Sequence, residues 1–141
     1  MDPYCVFCQI AIGQAPGTLV HEDDAVIAFM DINPVTPGHL LVVPKEHHAH
    51  LATVPGAVLS HMMLITQWLA AALRASLVRT DGINLFYADG VAAGQEVFHS
   101  HLHVIPRWQG DGLRIDANRR TNPSREELSE IAAAIRDAAV D

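Results

Sequence analysis

The chain has 141 residues, half of them hydrophobic and 18% charged, with a formal net charge of -7. That length suits a single domain, residues 1–141, burying its own core without disulfides, and no repeat or low-complexity stretch divides it. The acidic balance argues against a broad nucleic-acid face, which needs clustered Lys and Arg. No apolar run is read as approaching the ~20 residues of a membrane span, and the start Met1-Asp2-Pro3-Tyr4 shows no export signal, so a soluble, cytoplasmic protein with no membrane partner is expected.

The first chemical feature in chain order is Cys5 and Cys8, spaced C-x-x-C. In a cytosolic setting that spacing suggests a metal site or redox pair before a structural disulfide. Thr18–Glu22 and Ala25–Met30 read as a β-hairpin around Asp23-Asp24, and after the breakers Asn33-Pro34 and Pro37-Gly38 a mostly apolar third strand, His39–Pro44, reads as central. From about Pro55 to Val78, Leu59, Met62, Met63, Leu69, Ala72, Leu73 and Leu77 recur at helical spacing, giving the main helix over the sheet. Ile83–Tyr87 and Val97–Ile105 read as further strands, separated by the Gly-containing loop 89–94. Ser124 and Glu127 have capping-box spacing at the head of a last helix through Leu128, Ile131 and Ile135. Strands with few intervening helices predict an α+β fold with a largely antiparallel sheet.

Nine histidines fall unevenly, with His47, His48 and His50 in one group and His99, His101 and His103 in another. If Val97–Ile105 is extended, the three imidazoles of the second group share one face, successive members ~6.5 to 7 Å apart. An imidazole is mostly neutral near pH 7, so one ring nitrogen can attack phosphorus while the other is held by a hydrogen bond. The rival reading of such a run is a zinc or iron site.

The segment Ala93-Gly94-Gln95-Glu96-Val97-Phe98-His99-Ser100-His101-Leu102-His103-Val104-Ile105-Pro106-Arg107 resembles the signature of the histidine triad (HIT) family. The similarity extends upstream through Phe29–Pro34, Pro37–Lys45 and Cys5–Ile10, and more loosely to the bacterial branch over Ser124–Val140. The resemblance implies a HIT-like fold: about five mostly antiparallel strands per protomer, one long helix, shorter N- and C-terminal helices, and a homodimer. It implies nucleotide hydrolysis or transfer in which His101 attacks the α-phosphate to form a nucleotidyl-histidine that water cleaves. His103 would contact the phosphate and leaving-group side, His39 would support the triad, and Gln95 with backbone N–H groups nearby would bind phosphate oxygens. Asp31 would read the ribose hydroxyls, with Phe7, Ile10, Phe29 and Ile32 around a purine base and Glu96 and Val97 also at the substrate.

The two cysteines are similar to a zinc-binding subset of the family, which implies a closed structural zinc held by Cys5, Cys8, His47 and His99, with no organic cofactor. Two positions depart from the family pattern. Ala88-Asp89-Gly90 stands where many relatives have Asn-Asn-Gly, and Glu96 stands where some have Ser or Thr. The expected substrate is a purine nucleotide conjugate of the adenylyl-amidate kind. A dinucleoside polyphosphate, or binding with incidental turnover, is the alternative.

Overall fold

The computed structural model describes residues 1–115 and 121–139. In chain order the elements are α1 (Val6–Ala11), β1 (Leu19–Glu22), β2 (Val26–Met30), β3 (Leu40–Pro44), α2 (Gly56–Ala75), β4 (Gly82–Phe86), β5 (Leu102–Arg107) and α3 (Arg125–Ala138). The strands form one sheet in the order β1-β2-β3-β5-β4, and every neighbouring pair is antiparallel. This is the α+β architecture the strand-rich pattern predicts, with the apolar β3 at its centre and every residue of β3 buried.

Alternation along the strands sorts side chains onto two faces. Leu40 and Val42 of β3 join Val26, Ala28, Leu102 and Val104 beneath α2, which contributes Met62, Leu69 and Leu73. Leu41 and Val43 point the other way and join Ile27, Phe29 and the residues of α1, namely Phe7 and Cys8, together with Cys5. The sheet is therefore packed on both sides. One side carries the long helix and the other carries the N-terminal segment.

The β1–β2 turn is closed by Asp23. Its Oδ1 accepts the Ala25 and Val26 N–H groups, both at 2.9 Å. Its Oδ2 meets His21 at 2.8 Å and His61 of α2 at 2.6 Å, which ties the hairpin to the helix. These bonds hold the Asp23 carboxyl well below its usual range despite the opposing effect of burial.

Two expectations change. The long helix covers Gly56–Ala75 rather than Pro55–Val78, and Leu77 projects fully into solvent beyond it. Its 20 residues have a mean hydropathy of 1.4 over the best window, so by length and composition alone it could cross a membrane, contrary to the expectation that no run comes close. One face packs on the sheet; the other leaves Met63, Leu64 and Trp68 exposed.

The histidine strand is also shorter than the alternating pattern predicts: β5 begins at Leu102, not Val97. Upstream of it the Ser100 N–H donates to the His48 carbonyl at 2.7 Å instead of joining a regular ladder. The backbone bends through 97–99, between the contacts of His99 with the two cysteines and the pairing of His103 in the sheet. In β5, His103 lies opposite Leu41 of β3 and Phe86 of β4.

Candidate active site and metal cluster

His99 is completely buried. Its Nε2 lies 2.7 Å from the Pro44 carbonyl oxygen, and a carbonyl can only accept, so Nε2 carries the proton and Nδ1 keeps a lone pair. That lone pair points at sulfur: Nδ1 is 3.4 Å from Cys5 Sγ and 3.5 Å from Cys8 Sγ. His47 Nδ1 lies 3.4 Å from Cys8 Sγ. The four ligand atoms of Cys5, Cys8, His47 and His99 all fall within 4.8 Å of one another.

A tetrahedral zinc with bonds of ~2.3 Å to sulfur and ~2.0 to 2.1 Å to nitrogen places S and N about 3.5 Å apart, so the donor set fits zinc. The Cys8 N–H reaches Cys5 Sγ at 3.4 Å and the Asp2 N–H reaches Cys8 Sγ at 3.5 Å, donors suited to thiolates. The His47 Nε2 faces the Asp2 carboxylate at 3.9 Å, the outer partner a ligating imidazole usually has. Without a cation, burial pushes the Cys5 thiol up and His99 down to about 4.

Two residues on, the His101 Nδ1 lies 2.7 Å from the His99 carbonyl oxygen. The same logic applies: Nδ1–H donates and the Nε2 lone pair is left free for attack. Burial lowers the His101 pKa, which keeps that lone pair available at neutral pH. The ring is 6% exposed and stands edge-to-face against Phe7 at 5.1 Å between centroids. Phe7 in turn packs edge-on against Phe29 at 5.3 Å.

The third histidine belongs to a relay. The Val35 N–H donates to His39 Nδ1 at 3.2 Å, so a neutral His39 must carry its proton on Nε2. That atom sits 2.8 Å from His103 Nδ1, which becomes the acceptor. His103 is therefore left with a proton on Nε2, an atom with no hydrogen-bond partner among the described residues. Burial pushes His103 down to about 4, with His101 and His39 adding to the effect and Asp31 opposing it; His39 is lowered by burial too. Burial thus favours the neutral form of both rings, as the relay requires. Gly38, just before His39, has a φ of 94°, and an added Cβ would lie 2.5 Å from the Val78 side chain, so no other residue fits there.

Rather than lying evenly spaced in a row, the rings of His101 and His103 approach to 4.9 Å at 62°, while His99 belongs to the cysteine cluster. The three rings therefore do not share one centre: His99 joins the cysteine cluster, while His103 falls in a second group with Asp31 and His39 whose ligand atoms also lie within 4.8 Å of one another.

The substrate-side residues fall into three groups. Asp31 is only partly buried; its Oδ1 accepts the Asn33 N–H at 2.8 Å and its Oδ2 lies 3.5 Å from His39 Nε2. It both starts the turn and holds a carboxylate beside the relay. Phe7 and Phe29 are buried, Ile10 and Val97 pack against them, and Ile32 is almost wholly exposed. Gln95 departs from the expected role: its amide accepts from Gly90 N–H at 2.8 Å and donates to the carbonyls of Ala49 at 2.7 Å and Val97 at 3.1 Å. Those bonds fasten the 89–97 loop to the segment after β3 and leave the side chain no free donor for a phosphate. Glu96 is exposed.

Sequence reasoning missed the backbone partners that set each tautomer, since no residue type announces them. It also missed Asp89, whose Oδ1 accepts the Leu51 N–H at 3.1 Å, and the Tyr87–Ser100 hydroxyl pair beneath the run. An acceptor oxygen is all that this tether needs, and the Asp89 carboxylate supplies it.

The HIT domain model matches residues 13–110, which spans the histidines and leaves both cysteines outside. A HIT-like protein of Borreliella burgdorferi is 40% identical over 132 residues, covering 93% of this chain and 95% of the relative. The Arabidopsis thaliana protein named adenylylsulfatase HINT3 is 34% identical, over 94% of this chain and 68% of the relative. Among solved structures, a HIT family protein from Bacillus anthracis superposes with a TM-score of 0.89 at 34% identity, covering 99% and 100% of the two chains. A Zn-bound histidine triad family protein from Mycobacterium smegmatis gives 0.76 at 39% identity, covering 96% and 98%.

Proposed function

The chain belongs to the HIT domain family, and from that premise we propose that it hydrolyses conjugates of a purine nucleoside monophosphate through a covalent nucleotidyl-His101. The single observation that carries the reading is the Nδ1–H of His101 committed to the His99 carbonyl, which frees Nε2 as the nucleophile. A relative named as an adenylylsulfatase supports a reaction at an adenylyl phosphate.

In the first step the Nε2 lone pair forms a bond to the α-phosphorus, and the bond from phosphorus to the leaving nitrogen or oxygen breaks. The leaving group departs with the pair of electrons and takes a proton from water, with the His103 Nε2–H donating a hydrogen bond to it as charge develops. His39 Nε2–H, directed at His103 Nδ1, holds His103 in that tautomer. In the second step the hydroxide left by that transfer bonds to the same phosphorus, the N–P bond breaks with its electron pair returning to His101 Nε2, and the monophosphate leaves. In this reading the Asp31 carboxylate, beside His39, accepts the ribose hydroxyls, and Phe7, packed on His101 and Phe29, lies toward the base.

The residue set at Cys5, Cys8, His47 and His99 would hold a zinc that supplies no chemistry to this reaction but pins α1 to the sheet, an assignment to which the Zn-bound mycobacterial structure lends support. The reading includes a cytoplasmic homodimer. The exposed apolar residues of α2 and the open edge strand β4, with Leu85 and Phe86 half-exposed, are surfaces a second copy would cover.

The test is an acid-quenched incubation with an α-labelled adenylyl amidate, followed by mass spectrometry of the peptide carrying the label. Label on His101 is expected; turnover without any histidine adduct would overturn the mechanism. Comparing the amidate with a dinucleoside polyphosphate then ranks the leaving groups, with the amidate turned over faster.

A further inference from the structure

The relay of His39, His103 and Asp31 is built on a triangle of metal size. His39 Nε2 lies 2.8 Å from His103 Nδ1 and 3.5 Å from Asp31 Oδ2, and those two atoms are 4.0 Å apart. The point equidistant from the three is about 2.0 Å from each, the length of a zinc bond to imidazole or carboxylate. Two imidazoles and one carboxylate are a donor set for zinc or ferrous iron. The His103 and Asp31 side chains are 20% and 18% exposed, so the triangle opens to solvent.

The placement of protons speaks the other way. A ligating imidazole donates its second ring N–H to a carbonyl or carboxylate, which keeps the lone pair on the metal side. His99 and His47 follow that rule at the cysteine cluster, with Nε2 facing the Pro44 carbonyl and the Asp2 carboxylate respectively. His39 reverses it: its second nitrogen, Nδ1, meets a donor, the Val35 N–H. The proton of the neutral ring is thereby held on Nε2, the very vertex that a cation needs as a lone pair. Ligation would drive that proton to Nδ1 and set it against the Val35 N–H, donor against donor. The turn that carries Val35 is fastened and does not yield. The buried Thr36 donates its Oγ1–H to the Pro106 carbonyl at 2.7 Å, the His39 N–H donates to the Thr36 carbonyl at 3.1 Å, and the Asp31 N–H donates to the His39 carbonyl at 3.1 Å.

We propose that Asp31, His39 and His103 form a latent site for a divalent transition cation, which the main-chain N–H of Val35 keeps closed. The same imidazole chemistry then serves two ends in one chain: a carbonyl behind His99 admits a cation, and an N–H behind His39 turns one away. A buried donor left facing another donor weakens binding on the order of 10²-fold. The inference rests on the geometry of the relay and stands whether or not the protein hydrolyses a nucleotide. The Val35 side chain is half-exposed, so Val35→Pro deletes the N–H without opening the core.

The experiment equilibrates the full chain and Val35→Pro with excess zinc, removes loose metal by gel filtration, and counts what remains by elemental analysis. Cobalt(II) replaces zinc in parallel, because an ion held by thiolates shows a sulfur-to-cobalt charge-transfer band and an ion in the relay does not. The parent is expected to hold no ion that lacks the band. The variant is expected to hold one, bound on the order of 10²-fold more tightly than by the parent, with the ring-nitrogen NMR signals of His39 shifted by zinc. A parent that binds the thiolate-free ion at His39 overturns the proposal, as does a folded variant that does not. If the variant fails to fold, the NMR spectrum of the parent decides: a bare Nδ1 and a protonated Nε2 on His39, both unmoved by excess zinc, are expected, and a protonated Nδ1 or a zinc-shifted Nε2 overturns it.

Discussion

His99 and His103 are four positions apart, carry the same ring, and are both pushed by burial to about 4, yet they serve opposite ends of the site. The His99 proton is fixed on Nε2 by the Pro44 carbonyl, which turns its lone pair inward toward two thiols. In His103, Nδ1 is taken by His39, which turns the protonated nitrogen away from the protein. Between them, His101 uses the backbone of the first to present a lone pair beside the second. The comparison teaches that in such a run the role of an imidazole is decided by the group that meets its other nitrogen.

The sharpest way to break that division is at its centre. His101→Ala is expected to lower turnover of an adenylyl amidate on the order of 10⁴-fold or more and to abolish the covalent adduct, with little change in Tm. A modest loss of rate would show that water attacks directly.

At the cysteine end the two measurements should exchange places. Cys8→Ala is expected to lose stoichiometric zinc, read by elemental analysis, and to lower Tm by roughly 10 °C as α1 is released. The rate per folded molecule should fall no more than about tenfold, because the cluster reaches His101 only through the His99 carbonyl. A collapse of rate at unchanged Tm would move the metal into the chemistry.

At the other end, His39→Ala is expected to cost about 10²-fold in kcat with KM little changed, and His39→Gln less, since an amide can still donate to His103 Nδ1. Equal losses in the two variants would show that His39 only fills space. The acid limb of the pH–rate profile should rise toward the ordinary imidazole range in both, which a purely structural role would not produce.

The smallest effect is on stability. The folded pKa of His103, about 4, lies below the ~6.5 of an unfolded histidine, so between those values the unfolded chain binds more protons. Stability therefore rises with pH from about 4 to about 6.5 and is flat above that as far as this group is concerned. Urea midpoints taken across the window should show the slope, and His103→Asn should reduce it; an unchanged slope would place the titrating burden elsewhere.

Much of this was legible in the chain. The hairpin at Asp23-Asp24, the apolar β3, the amphipathic α2 and the capping box of α3 are local signals, because hydrogen-bonding side chains and hydrophobic spacing act within a few residues. Likewise Cys5-x-x-Cys8 and the alternating histidines mark out, by their donor atoms, the residues that the fold brings together. The extent of the histidine strand was not legible: alternation predicts Val97–Ile105, whereas β5 is Leu102–Arg107, and the Ser100 N–H bonds the His48 carbonyl, a partner distant in sequence. Nor could Gln95 be read as a brace, since its three partners at positions 49, 90 and 97 come together only when the loops fold.

The sequence by itself determined which atoms were available: two thiols, nine imidazoles, a carboxylate before Asn33-Pro34, and enough apolar spacing to build a two-faced sheet. Only the tertiary structure decided which nitrogen of each ring is free. That choice is made by Val35, Pro44 and His99 main-chain groups, and every residue has the same main-chain groups. Their chemistry carries no sequence signature, so position in the fold alone sets which nitrogen each repeated side chain presents.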